Sequence, residues 1–198
     1  MKPAPINAET IGQRQIEWTR RWHEASTPLL QDEPWPAIER NHRMNFDVWH
    51  AEDEARRDDL GPASVRDNKR IIDRCNQSRN DAIELFDVWL LGQVPPAREN
   101  TPLHSETAGM IVDRLSILAL KIFHMRIEAT RTSADDVHRR KCVQKCAVLE
   151  EQQKDLKQCL QTLVEETLVG TRQYKLYRQF KMYNDPNLNP QIYQNPIQ

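Results

Sequence analysis

The segment from Glu106 to Lys121 is the strongest constraint on what this chain can become. It is apolar on nearly every side and broken by a single acidic line through Glu106 and Asp113. Ser116 lies beside that line, with Lys121 and His124 further round. A helix that is apolar all round has to be enclosed by other helices. A carboxylate on such a helix is costly to bury unless a partner meets it. The rest of the chain must therefore supply more helices, and some must carry polar groups on their inward faces. Two segments fit. Asn45-Phe46-Asp47-Val48-Trp49-His50-Ala51-Glu52-Asp53-Glu54-Ala55-Arg56 puts Asn45, Trp49, Glu52, Asp53 and Arg56 on one face. Further on, Asp73, Asn76, Asn80, Glu84 and Asp87 recur at helical spacing beside the apolar stripe Val65, Ile72, Ile83, Phe86, Leu90. Polar lines aligned across helices make either a lock or a site.

The remaining pattern extends this to an all-α fold, an antiparallel bundle of about five long helices plus a short C-terminal helix. The first helix is expected over 7–25, with Ile11, Trp18 and Trp22 on one face, and ends at Ser26-Thr27-Pro28. Trp35 lies in the following loop as an anchor. The second helix spans 36–57, with Pro36 in its first turn. The third spans 62–91 and is capped by Gly92. The fourth starts near 102 or 105 and runs to 131. The fifth takes Ser133 as N-cap, has Asp135 and Asp136 in its first turn, and stops at Gly170. Cys142, Cys146, Leu149, Gln153, Leu156, Leu160 and Leu163 form its seam. Basic and aromatic residues alternate over 171–183, the expected short helix. Residues 1–198 read as one domain, frayed over about 1–6 and with a tail over about 184–198.

Composition removes several function classes. Only 5 glycines disfavour a many-turned β fold, and there is neither a GxGxxG nor a GxxxxGK[ST] phosphate loop. A net charge of −1 gives no case for nucleic acid. No apolar run approaches the about 20 residues of a membrane span, and the first residues lack an apolar signal core. The expected location is cytoplasmic. The 4 cysteines form no CxxC and read as reduced, apolar core residues.

Two kinds of site remain. Asp53, Asp81, Glu84, Glu106 and Asp113 sit on facing helices and could converge on Mg²⁺ or Mn²⁺, which prefer oxygen ligands. There His50, Asp53 or Asp113 would activate water. Against this, Arg56, Lys69, Arg79, Arg114 and Lys121 are close in sequence and could pair the same acids. The second kind is an anionic-ligand pocket between the second, third and fourth helices. Its candidates are Asn45, Trp49, His50, Glu52, Arg56, Asn76, Arg79, Asn80 and Lys121, joined by Lys181 and Tyr183 from the C-terminal basic-aromatic segment. His124 reads as a satisfied core histidine. One Glu-x-x-His, Glu39 with His42, lacks the second copy a di-iron centre requires.

Asn45-Phe46 with Trp49-His50 and Glu52-Asp53, Asn76-Gln77 with Arg79-Asn80-Asp81, Glu106-Thr107 with Gly109 through Lys121, and Lys181-Met182-Tyr183-Asn184-Asp185-Pro186 resemble one bacterial family of similar length. It is catalogued as domain-of-unknown-function family 4254. The likeness runs over about residues 10–193. Gly109 through Leu118 also resembles a segment of a shorter uncharacterised family. Both families tend to occur near glycosyltransferase genes for surface polysaccharide. The resemblance therefore implies an accessory protein of envelope-glycan assembly, binding an anionic metabolite or a glycosyltransferase partner, with a homodimer allowed. It supplies no catalytic residue. The alternatives are a Mg²⁺- or Mn²⁺-dependent hydrolase of a phosphoester or pyrophosphate, and a scaffold whose polar lines fix helix register.

Overall fold

Residues 6–24, 30–178 and 187–189 are described by the structure, a computed structural model. Five helices carry it: α1 (Ala8–Glu24), α2 (Trp35–Ala55), α3 (Gly61–Leu91), α4 (Ala108–Thr130) and α5 (Asp136–Val169). α2 and α3 form one hairpin and α4 and α5 a second, with α1 packed against α2, α4 and α5. α4 meets all four other helices, as its all-round apolar character requires. The core is built from Ile11, Ile38, Phe86, Leu90, Ile111, Leu115 and Leu160, each at most 1% exposed. Burying one such side chain contributes about 1.5–3 kcal/mol. All four cysteines are free; Cys75, Cys142 and Cys146 are buried and Cys159 is exposed. Among the described residues no helix is long and apolar enough to cross a membrane.

Helix ends follow local chemistry. Thr107 caps α4, its side chain accepting from the Met110 N–H at 3.1 Å. Asp135, rather than Ser133, caps α5 by accepting from the His138 N–H at 2.7 Å. A carboxylate at that position both bonds the free N–H and meets the positive end of the helix, which a hydroxyl does less well. Gly170 ends α5 in the left-handed region, φ 79°.

Two expectations fail at the chain's C-terminal side. The fourth helix does not begin at 102 or 105, because Leu103–His104 is a short strand, β1. It pairs in parallel with β2 (Gln173–Tyr174), in the register Leu103↔Gln173 and His104↔Tyr174. Residues 171–178 are therefore not the expected helix. The reason is anchoring. The Gln173 N–H donates to the Pro102 carbonyl at 3.0 Å, its side chain donates to the Thr101 carbonyl, and Tyr174 is 4% exposed. Lys181 and Tyr183 lie outside the described residues.

Candidate functional site

Where the polar pocket was expected, side chains close on one another. Asp113 Oδ1 accepts from Asn41 Nδ2 and Asn45 Nδ2, both at 2.9 Å, and Arg79 Nε lies 3.6 Å away. Asn45 Nδ2 also donates to Ser116 Oγ at 2.9 Å, and Asn45 Oδ1 accepts from Arg79 at 3.0 Å. Ser116 Oγ is 2.7 Å from His42 Nδ1, and His42 Nε2 is 2.9 Å from Thr19 Oγ1. The proton directions follow. Thr19 gives its hydroxyl hydrogen to the Gln15 carbonyl, so it accepts from His42 Nε2–H. Burial holds His42 far down, at about 3, so the ring is neutral and its Nδ1 accepts from Ser116 Oγ–H. Ser116 and His42 are 0% exposed. A serine bonded to a histidine is the start of a nucleophile–base pair, but no substrate reaches this one. Asn41, His42 and Asn45 of α2, Arg79 of α3 and Asp113 and Ser116 of α4 thus form a lock, which the remaining polar residues of those helices do not join.

The proposed acidic ligands are separated by these and other partners. Asp113 belongs to the lock. Glu106 is held by Arg114 at 2.9 Å and Asp81 accepts from Gln77 at 2.7 Å. Glu84 is half-buried on α3, near Asp87. Asp53 is exposed on α2. Among the described residues these carboxylates form no group close enough to hold one ion. Glu52 and Arg56 pair with each other on the α2 surface at 2.7 Å, while Asn76 and Asn80 are half-buried on α3.

An open cleft of about 640 Å³ lies instead between α4 and α5, with Trp49 of α2 also in its lining. Lys121, Met125 and Glu128 of α4 face Lys141, Lys145 and Leu149 of α5 across it. The Trp49 ring is stacked on His124, a second lining residue, at 4.6 Å and 4°. Glu128 is already engaged by Arg131 at 3.1 Å and His138 at 2.9 Å. Lys121, Lys141 and Lys145 make no hydrogen bond or ion pair with described residues. An apolar floor ringed by ammonium groups that no described residue pairs suits a ligand with an apolar or planar body and an anionic head. Of the expected ligand residues, Trp49 and Lys121 are brought together here. The contributors from α5 are not legible in the sequence, because the spacing of Lys141 and Lys145 alone does not reveal the wall opposite.

His50 and His124 depart from their expected roles. His124 is not satisfied: its Nε2 is buried and has no hydrogen-bond partner, and the same holds for His50 Nε2. Burial lowers both, His124 to about 4, with like-charge repulsion from His23 adding to the effect. His23, which no local pattern singled out, completes a group whose ligand atoms all lie within 4.8 Å of one another. These three imidazoles are the described residues that could hold a metal.

The model of a family described as "Protein of unknown function (DUF4254)" matches residues 35–176. No curated protein and no solved structure matches the chain.

Proposed function

The chain belongs to the DUF4254 family of proteins of unknown function, and we propose that it is a binding protein for an anionic ligand with an apolar body, held in the cleft between α4 and α5. One observation carries the reading: Lys121, Lys141 and Lys145 gather, without partners among the described residues, around a cleft lined by Met125, Leu149 and Trp49. Lysine ammonium groups bind phosphate as point charges. The volume is in the range of small-ligand sites, about 300–1,000 Å³. An accessory role in surface-glycan assembly, implied by the family resemblance, agrees with this ligand class, since such assembly runs on phosphorylated intermediates. A glycosyltransferase partner and a cytoplasmic location belong to the same proposal. The scaffold reading draws support from the lock around Asp113 but leaves the cleft without a purpose.

The test is calorimetric titration with octyl phosphate, octyl glucoside and inorganic phosphate, below micelle-forming concentrations. Octyl phosphate is expected to saturate one site, with the other two at least about tenfold weaker, because only it supplies both head and body. The double variant Lys121→Gln/Lys145→Gln should weaken octyl phosphate by about tenfold or more and flatten its salt dependence. Equal binding of the glucoside, or no effect of the double variant, would remove the proposal. A dimer covering the cleft would show as a change of mass with concentration and no saturable site.

A further inference from the structure

We propose that His23, His50 and His124 form a binding site for a transition-metal ion of the Zn²⁺ class. The inference is independent of what occupies the cleft. The three rings come from three different helices, α1, α2 and α4, so packed elements hold them rather than loops. Their centroids are 5.1 Å apart for His23–His50, 5.4 Å for His23–His124 and 5.9 Å for His50–His124.

Two independent features point to a ligand. His50 Nε2 and His124 Nε2 are buried with no hydrogen-bond partner. A buried polar nitrogen without a partner is rare and calls for an explanation. The second feature is at His23, whose Nδ1 lies 2.7 Å from the Thr19 carbonyl. A carbonyl only accepts, so Nδ1 carries the hydrogen and Nε2 keeps a free lone pair. A backbone carbonyl fixing the far nitrogen of a ligating histidine is the usual outer-shell arrangement of metal sites.

The surroundings support the same reading. Phe46 packs on His50 at 4.4 Å, Phe123 on His23 at 4.5 Å and Trp49 on His124 at 4.6 Å, so each ring is fixed by an aromatic wall. Asp53 lies close enough to favour positive charge at both His50 and His124, and a cation would gain from it. Imidazole donors suit Zn²⁺, Cu²⁺, Ni²⁺ and Co²⁺ rather than Mg²⁺ or Mn²⁺. Three of them leave a fourth tetrahedral position for water or a ligand. At Zn–N bonds of about 2.0–2.1 Å, tetrahedral nitrogens stand about 3.4 Å apart. Nitrogens now up to 4.8 Å apart would close by side-chain rotation. His124 also lines the cleft, so an ion here would stand beside it.

The test uses the full chain without an affinity tag, stripped with chelator and dialysed against Zn²⁺ or Co²⁺. One equivalent of either per chain is expected, with the visible absorption of four-coordinate Co²⁺. His50→Gln and His124→Gln should each weaken binding by at least about tenfold, while His104→Gln, outside the group, should not. Should a core variant fail to fold by circular dichroism, His23→Gln at the exposed end of α1 serves in its place. Substoichiometric metal on the wild-type chain would overturn the proposal, as would undiminished binding in His50→Gln/His124→Gln or a spectrum of only six-coordinate Co²⁺. Octyl phosphate titrated into the same metal-free variants separates this outcome from the fate of the cleft reading.

Discussion

Ser116 serves two partners that have no access to water. Its hydroxyl donates to His42 Nδ1 and accepts from Asn45 Nδ2. Ser116→Ala removes almost no volume, so its cost is that of leaving those groups unpaired, about 1–3 kcal/mol for a buried polar group. With two groups affected, a loss of about 2–3 kcal/mol and a fall in melting temperature of roughly 5–10 °C are expected for a chain of this length. Ser78→Ala, which removes only the exposed acceptor of Arg40, should change stability by less than about 0.5 kcal/mol. Urea denaturation of both compares them, and equal small effects would mean that the lock does not hold the helices. At this scale the sequence was partly legible. Asp113 on an apolar helix demanded a partner, and Asn45 and Arg79 on neighbouring polar lines were the right kind. The histidine group was not legible. His23, His50 and His124 stand on three helices, and their meeting depends on how α1 seats against α4. No spacing along the chain encodes that.

The start of α4 is an element-level device with a pH signature. Asp87 of α3 accepts the Gly109 N–H at 2.8 Å, placing a carboxyl against the first turn of α4. A Cβ at Gly109 would come 2.7 Å from the Ile83 carbonyl oxygen and 2.8 Å from Asp87 Oδ2, so only glycine permits the approach. Burial pushes Asp87 up to about 6, although bonds from Thr107 and Gly109 pull the other way; the neighbouring charge of Glu84 adds to the rise. Tyr174, whose hydroxyl is raised by burial and by the Asp87 charge, closes the far side. The sign of the linkage follows. Between the unfolded value of 3.8 and about 6 the unfolded chain ionises while the native chain stays protonated. The stabilisation is complete below about pH 4 and is lost as pH rises to 6, a change on the order of 3 kcal/mol. Exposed carboxylates held low by arginine, such as Glu17, act in the opposite sense. The wild-type curve minus that of Asp87→Asn isolates the effect, and a difference that does not vary with pH would show that Asp87 does not titrate as a buried acid. Most of the elements themselves could be read from period and caps. The fourth helix start and the C-terminal helix could not, because a two-residue strand pair is set by where two distant segments dock. Its local composition says nothing about that.

Across the whole molecule the core is unevenly shared, and α5 records it. Its C-terminal half buries Leu160, Leu163, Val164 and Thr167, while its first half buries only Cys142 and Cys146 and leaves Val137, Val143 and Val148 more than half exposed. At about 1.5–3 kcal/mol for each fully buried large apolar side chain, the first half has far less holding it to the bundle. Local opening draws on such weakly packed segments. The same half supplies Lys141, Gln144, Lys145, Val148 and Leu149 to the cleft. The rigid wall is thus α4, packed on every other helix, and the pliant wall is the start of α5. Amide hydrogen exchange should find α4 slowest, the end of α5 close behind, and residues 137–150 markedly faster. A ligand seated in the cleft would tie the pliant wall to the rigid one, so saturating octyl phosphate should slow exchange over 137–150 and leave α3 unchanged. If α5 exchanges uniformly without ligand, it is one cooperative unit and the argument from uneven burial fails. If exchange is uneven but octyl phosphate slows it nowhere, the pliancy stands and the cleft is not where that ligand binds.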